Sequence, residues 1–142
     1  IKFLQEFQDV FAETMGVEPN KIYCIAHAIK KPTDTPYPLK YYSTLQVPDS
    51  HEAFHTYGVS WTPEEITYTI DGQECYSVKK EENATYLQWP YDQPYNLILN
   101  LAIGGNWIAG DPKQYPPDGI DKAMLPASVQ VASINYFPLI TD

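Results

Sequence analysis

The sequence predicts an all-β fold, an antiparallel β-sandwich, and three observations carry that expectation. Thirteen prolines and twelve tyrosines in 142 residues favour short strands joined by turns over helices. Several segments alternate apolar and polar side chains with the two-residue period of a half-buried strand. Such segments recur at regular spacing, with turn signals between them and neither repeats nor low-complexity tracts. At this length the chain is expected to form a single domain, residues 1–142, large enough to bury a core without staples.

Residues 1–13 alternate weakly and fit a strand or one short helix. Gly16 to Asn20, with Pro19 inside, reads as a turn. Lys21 to Ile29 reads as a strand with Ile22, Cys24, Ala26 and Ala28 on one face and Tyr23, Ile25 and His27 on the other. Lys30 to Pro38 carries three prolines and reads as a surface loop. Phe54 to Trp61 is a second strand, stopped by Thr62-Pro63-Glu64; within it Tyr57 and Trp61 read as core, and His55 as packing or hairpin support. Ile66 to Ile70 and Glu74 to Val78 flank Asp71-Gly72, a turn dipeptide that makes them a hairpin. Tyr95 to Ile103 is nearly all apolar and is expected to be a buried central strand. Asp111 to Leu125 is a polar, proline-bearing loop, and Ser128 to Phe137 alternates again as a closing strand.

Charge narrows the classes of partner. The net charge is −9, all nine basic residues are Lys, and Arg is absent. Nucleic acids and anionic membranes call for basic patches, and bidentate capture of phosphate or carboxylate calls for Arg, so a neutral, hydroxyl-rich ligand fits better. No run of about 18 apolar residues exists to span a bilayer. The chain opens on Ile1 to Leu4 without an initiator Met, and so reads as processed, truncated or excerpted from something longer. Cys24 and Cys75 either form one disulfide or remain as small buried hydrophobes; their spacing does not decide, and it is a poor zinc motif. Asn83-Ala84-Thr85 is a formal glycosylation sequon of a kind that arises often by chance.

The stretch Trp89-Pro-Tyr-Asp-Gln-Pro-Tyr-Asn-Leu-Ile-Leu-Asn-Leu-Ala-Ile-Gly-Gly-Asn-Trp107 is the most telling part of the chain. Trp and Tyr faces stack on the apolar C–H surfaces of sugars, while Asn and Gln amides both donate to and accept from hydroxyls. A hydrophobic core could use the same composition. Together with Phe54-His-Thr-Tyr-Gly-Val-Ser-Trp-Thr-Pro63 and the Ile70-Asp71-Gly72 hairpin, it resembles the second half of the family 16 glycoside hydrolases, in their laminarinase (endo-β-1,3-glucanase) branch. Glu13-Thr-Met-Gly-Val-Glu-Pro-Asn-Lys-Ile-Tyr23 resembles the segment that begins at the family's third catalytic carboxylate. Leu125-Pro-Ala-Ser128 through Tyr136 resembles its last strand, so the likeness runs over residues 13–137.

The resemblance implies a curved, concanavalin-like jelly roll with a sugar cleft on its concave face, incomplete in this one chain. The family's signature is Glu-x-Asp-x-x-Glu. Side chains at i and i+2 share a face of a strand, and a bulge after the second re-aims the third to that face. In retaining enzymes the two key carboxyls then sit about 5–5.5 Å apart. Aligned here, Glu13 takes the acid/base position, but Gln8 stands at the nucleophile and Val10 at the central Asp. Gln cannot attack an anomeric carbon as a carboxylate does, and Val removes the charge that separates the pair's pKa values. Glu6 and Asp9 lie nearby in the wrong register to substitute.

Glu13 is therefore the catalytic candidate. Gln8, His27, Trp89, Asn100 and Trp107 are the candidate substrate contacts: His27 matches a cleft histidine near the acid/base, and Asn100 interrupts an apolar run with a side chain that must find polar partners. Trp107 follows Gly104-Gly105-Asn106, and glycines let a backbone pass close to a ligand. Trp89 either lines the cleft or packs. Asp111 and Asp118 suit a structural calcium by charge alone, without a motif, and no cofactor is expected.

Three functions follow as expectations. The chain acts on β-1,3 or mixed-linkage β-glucan as half of a retaining hydrolase, binds such a glucan without cleaving it, or is a structural half-sandwich. In each case a homodimer or a complementing chain is expected to complete the sheets, because long unpaired edges invite association. The expected location is extracellular or periplasmic.

Overall fold

The computed structural model describes residues 2–4, 8–15, 18–26, 42–103, 123 and 125–139, with the backbone alone for 2–4, 8–11 and 15. Among the described residues eight strands form, in chain order: β1 (Lys2–Leu4), β2 (Gln8–Met15), β3 (Glu18–Ile25), β4 (Tyr42–Gln46), β5 (Tyr57–Trp61), β6 (Glu65–Ile70), β7 (Gln73–Lys79) and β8 (Leu97–Ile98). They build a five-stranded sheet in the order β4-β3-β2-β1-β8 and a three-stranded sheet in the order β5-β6-β7. Every pairing described is antiparallel. The chain divides into two units, Ile1–Asn100 and Leu101–Asp142.

The first unit is an antiparallel two-sheet structure, as the alternation predicts. Ile22, Cys24 and Ala26 of the β3 segment are buried together with Ile66, Tyr68 and Ile70 of β6. Val47, Trp89 and Tyr91 complete that core, and Tyr57 and Trp61 pack half-buried against it. Each large apolar side chain placed this way contributes about 1.5–3 kcal/mol. Trp89 and Tyr91 meet edge to face, with ring centroids 4.9 Å apart. Their segment is pinned to the β5–β6 connection by two indoles: Trp89 Nε1–H donates to the Pro63 carbonyl at 2.7 Å, and Trp61 Nε1–H to the Tyr91 carbonyl at 2.6 Å.

The β6–β7 hairpin turns at Asp71-Gly72, where φ is 50° and 80°. Positive φ at both central residues is the mirror-image turn whose twist matches the flanking strands. At the other end of β6, Thr62 Oγ1 accepts the backbone N–H groups of Glu64 (3.2 Å) and Glu65 (2.9 Å) and closes the turn after β5.

Several expectations are corrected. Glu18 to Asn20 belongs to β3 rather than to a turn. The ladder is irregular there, stepping from Thr14↔Ile22 to Met15↔Glu18, so Pro19 has a place that needs no N–H. Its carbonyl accepts the Ser50 hydroxyl. The strand predicted from Phe54 starts only at Tyr57.

The segment Tyr95–Ile103 is not a buried central strand. Only Leu97–Ile98 is extended in a ladder, and Leu97, Leu99, Leu101 and Ile103 are all exposed by 41–47%. A central strand has a neighbour on each edge and a packed layer on each face, whereas β8 ends the described sheet order beside β1. Ser128–Phe137 likewise alternates in sequence but joins no described ladder, leaving Val129, Val131, Ile134, Tyr136 and Phe137 exposed. Alternation marks a face fit for half-burial and does not supply the neighbour that buries it. The loop 30–38 and the loop residues 111–122 lie outside the described residues.

Candidate functional site

The five-stranded sheet has an outer face, opposite the one that Ile22 and Cys24 bury, and the candidate site is built there. Along β3 the outward residues are Lys21, Tyr23 and Ile25, because their neighbours Ile22 and Cys24 are committed to the core. Tyr23 is paired with Glu13 of β2 on one side and with Thr44 of β4 on the other; Ile25 is paired with Val10 and Tyr42. Cross-strand partners share a face, so half-buried Glu13 stands beside the Tyr23 ring on the outer surface.

The register contains an extra residue. Between the pairs Val10↔Ile25 and Glu13↔Tyr23, β2 advances three residues while β3 advances two. Without that bulge positions 10 and 13 would fall on opposite faces; with it they pair with two β3 residues of one face. Ala12, inside the bulge, packs against the core, and Glu13 follows it outward. This is the backbone arrangement that the Glu-x-Asp-x-x-Glu spacing requires, here carrying Gln8, Val10 and Glu13. Gln8 and Asp9 are placed by backbone pairing alone, opposite Leu4 and Phe3 of β1.

The rest of the face is aromatic and hydrogen-bonded. The Tyr23 and Tyr42 ring centroids lie 6.2 Å apart at a tilt of 32°. Lys21 Nζ sits 4.8 Å from the Tyr23 ring centroid and 3.2 Å from Glu18 Oε1. The Tyr23 hydroxyl donates to Glu18 Oε2. That hydroxyl, and then the Lys21 ammonium, hold the Glu18 carboxyl below its usual range. Burial, and then the Glu18 pairing, push the Tyr23 hydroxyl up, so it remains a neutral donor at neutral pH. A rigid, uncharged phenol beside carboxylates suits contact with a sugar ring and its hydroxyls.

The other candidates fare differently. Trp89 takes the packing role: it is buried, and its indole N–H is already committed to Pro63. A stacking surface has to be open to the ligand, so Trp89 is corrected from a substrate contact to a core residue. Asn100 is exposed in irregular backbone rather than set within a strand. His27, Trp107, Asp111, Asp118 and Glu6 lie outside the described residues. Among the described residues no group of three or more His, Cys, Asp or Glu is arranged to hold a metal ion. Tyr42 escaped sequence reasoning because its short strand is mostly exposed; Tyr23 was legible as an outward residue from the Ile22–Cys24 alternation.

His55 supports the hairpin, as its position before β5 suggests. Its Nδ1–H donates to Asp71 Oδ2 at 2.7 Å, and the Thr56 N–H donates to Asp71 Oδ1 at 2.8 Å. Nε2 lies 3.4 Å from Asp49 Oδ1, an ion-pair distance without hydrogen-bond geometry. The Asp71 carboxylate raises the pKa of His55, and His55 in turn lowers that of Asp71.

Two antiparallel sheets sharing one core, with a bulged strand that carries Glu13 on the outer face, define an antiparallel β-sandwich. Comparison with known proteins is specific about which one. Residues 9–116 match the model of glycosyl hydrolases family 16, and the chain belongs to that family. It is 33% identical over 98 residues to a beta-glucanase of Rhodothermus marinus, covering 66% of this chain and 32% of that protein. It is 36% identical over 64 residues to a glucan endo-1,3-beta-glucosidase of Cryptopygus antarcticus, covering 42% of this chain and 24% of that protein. The solved laminarinase of Rhodothermus marinus superposes with a TM-score of 0.64 at 28% identity, over 81% of this chain and 46% of that one. The chain thus spans less than half the length of each of these relatives.

Proposed function

We propose that this chain binds β-1,3 or mixed-linkage β-glucan along the outer face of its five-stranded sheet and, as it stands, does not cleave it. The observation that supports this reading is the β2–β3 register. A bulge lies between Val10 and Glu13, as the spacing of the family's signature would need, and of the three residues that resemble that signature Gln8 and Val10 carry no charge while Glu13 carries a carboxylate. Double displacement needs a second carboxylate as nucleophile about 5–5.5 Å from the acid/base, and a Gln amide cannot serve. Glu13 on this reading is a hydrogen-bond acceptor for a sugar hydroxyl, beside the aromatic surface of Tyr23 and Tyr42. Gln8, His27, Asn100 and Trp107 are the further proposed contacts. The names beta-glucanase and glucan endo-1,3-beta-glucosidase carried by relatives supply the ligand class.

The reading extends to assembly and location. The strands β4 and β8 end the described five-stranded sheet, and such edges are fit to pair with a second copy or a complementing chain. A polysaccharide ligand would favour a location outside the cell or in a periplasm, which is part of the proposal. The test is calorimetric titration with laminarin and lichenan beside a reducing-sugar assay. Heat of binding without turnover is expected, with affinity lowered about three- to tenfold in Tyr23→Ala, the range for one aromatic contact. Absence of binding to every β-glucan tested contradicts the proposal.

A further inference from the structure

Cys24 and Cys75 come from different sheets and meet in the core. Cys24 lies on β3, fully buried between Ile22 and Ala26. Cys75 lies on β7, half-buried and packed against the same cluster. What brings it there is a second bulge. The β6–β7 ladder passes from Tyr68↔Tyr76 to Thr69↔Glu74, so Cys75 is the unpaired extra residue. In a regular strand Tyr76 and Cys75 would point to opposite faces; in the bulge both reach the core. There the Cys24 thiol hydrogen-bonds to the Cys75 sulfur, and both cysteines are reduced.

The two thiols are unequal. Burial, and then the bond to Cys75, push the Cys24 thiol far above the ordinary cysteine range. Burial raises Cys75 above the ordinary cysteine range as well, and its contacts with Cys24 offset only part of that rise. Cys75 is also the more exposed of the two. It therefore reaches the thiolate, the nucleophilic form, more readily, while Cys24 waits behind it in hydrogen-bond contact.

We propose that Cys24 and Cys75 form an oxidisable dithiol site that closes a disulfide between the two sheets, with Cys75 as the entry thiol and a small or protein disulfide as the oxidant. The Cys75 thiolate attacks one sulfur of the oxidant, giving a mixed disulfide and releasing one reduced thiol. The Cys24 sulfur, losing its proton, then attacks Cys75 Sγ; the Cys24–Cys75 bond forms and the second oxidant thiol leaves. Two thiols are oxidised, one disulfide is reduced to two thiols, and protons balance through solvent. The cross-link closes a chain loop from β3 to β7 that includes β4, β5 and β6. It ties the strand bearing Tyr23 to the opposite sheet, so an oxidising compartment would hold the outer face on a stiffer support. The site stands apart from the glucan reading and does not depend on it.

The experiment equilibrates the reduced, folded chain with graded ratios of oxidised to reduced glutathione, followed by acid quench, alkylation, intact mass and non-reducing peptide mapping. The expected product is an intramolecular Cys24–Cys75 cross-link lacking two hydrogens, reversed by dithiothreitol. It should raise the thermal midpoint by roughly 5–15 °C, as a long closed loop predicts. Cys24→Ser should instead hold glutathione on Cys75, and Cys75→Ser should leave Cys24 unmodified while folded. A wild-type chain that keeps both thiols, or that accumulates glutathione on Cys75 without passing it to Cys24, overturns the proposal. If either Ser variant fails to fold, the wild-type peptide map decides alone.

Discussion

Glu13 is paired with Tyr23 across the β2–β3 ladder, one residue out of phase with the pairing of Val10 and Ile25 earlier on the same strands. This phase shift places a carboxylate beside an aromatic ring on the outer face while Ala12, its immediate predecessor, enters the core. That register is the one the Glu-x-Asp-x-x-Glu spacing calls for, and in this chain it carries Gln8, Val10 and Glu13.

Restoring the side chains should test whether the backbone is competent. Gln8→Glu with Val10→Asp is expected to bring detectable reducing-sugar release from laminarin in the presence of the completing chain or copy. Adding Glu13→Gln to that pair should lower the rate by about 10²-fold or more, the usual contribution of a general acid/base. Equal rates with and without Glu13 would remove it from the acid/base position.

The His55–Asp71 pair gives a stability window in pH. His55 has its folded pKa raised above the ordinary 6.5, so its contribution is complete below 6.5 and is lost as pH rises through the raised value. Asp71 has its folded pKa lowered below the ordinary 3.8, so its contribution is complete above 3.8 and is lost as pH falls through the lowered value. Urea midpoints should be highest, relative to His55→Gln, between those two pH values. The difference should shrink on both sides. A wild-type and variant pair running parallel across the range would show that the contact carries no linkage.

Trp89 should behave as a packing residue. Trp89→Ala is expected to lower unfolding free energy by about 3–5 kcal/mol, from the cavity and the indole bond lost to Pro63. Trp89→Phe should lose less stability and leave glucan affinity within about twofold of wild type, a change too small for a lost aromatic contact. Loss of affinity in a well-folded Trp89→Phe chain would return Trp89 to the ligand face.

Gly58 on β5 is confined by its neighbour rather than by its dihedral angles. A Cβ built there lies 2.5 Å from Thr69 Oγ1 on the paired strand β6. Gly58→Ala should destabilise by about 1–3 kcal/mol through overpacking, and Thr69→Ala in the same chain should recover most of it. Additive losses in the double variant would mean that the two positions do not collide.

Elements whose partners lie close in sequence were the legible ones. The Ile22, Cys24, Ala26 alternation and the Asp71-Gly72 turn each carry their own physical signal, and both appear in the fold as read. Strand β4 was missed because Leu45 alone among its residues packs on the core, which leaves hardly any apolar pattern to detect. Tyr95–Ile103 and Ser128–Phe137 were overread because apolar content speaks for burial only where another layer arrives. Within the site, the bulge between Val10 and Glu13 was implied by the resemblance to the family's signature, whereas Tyr42 depended on a pairing of β3 with β4 that distance along the chain concealed.

The most direct test is a chemical-shift map of the chain titrated with a short laminari-oligosaccharide. The account predicts perturbations clustered on Glu13, Tyr23, Tyr42 and Thr44, with Trp89 and Tyr91 unmoved. Perturbations confined to the hairpin around His55 and Asp71, or none at saturating sugar, would contradict it.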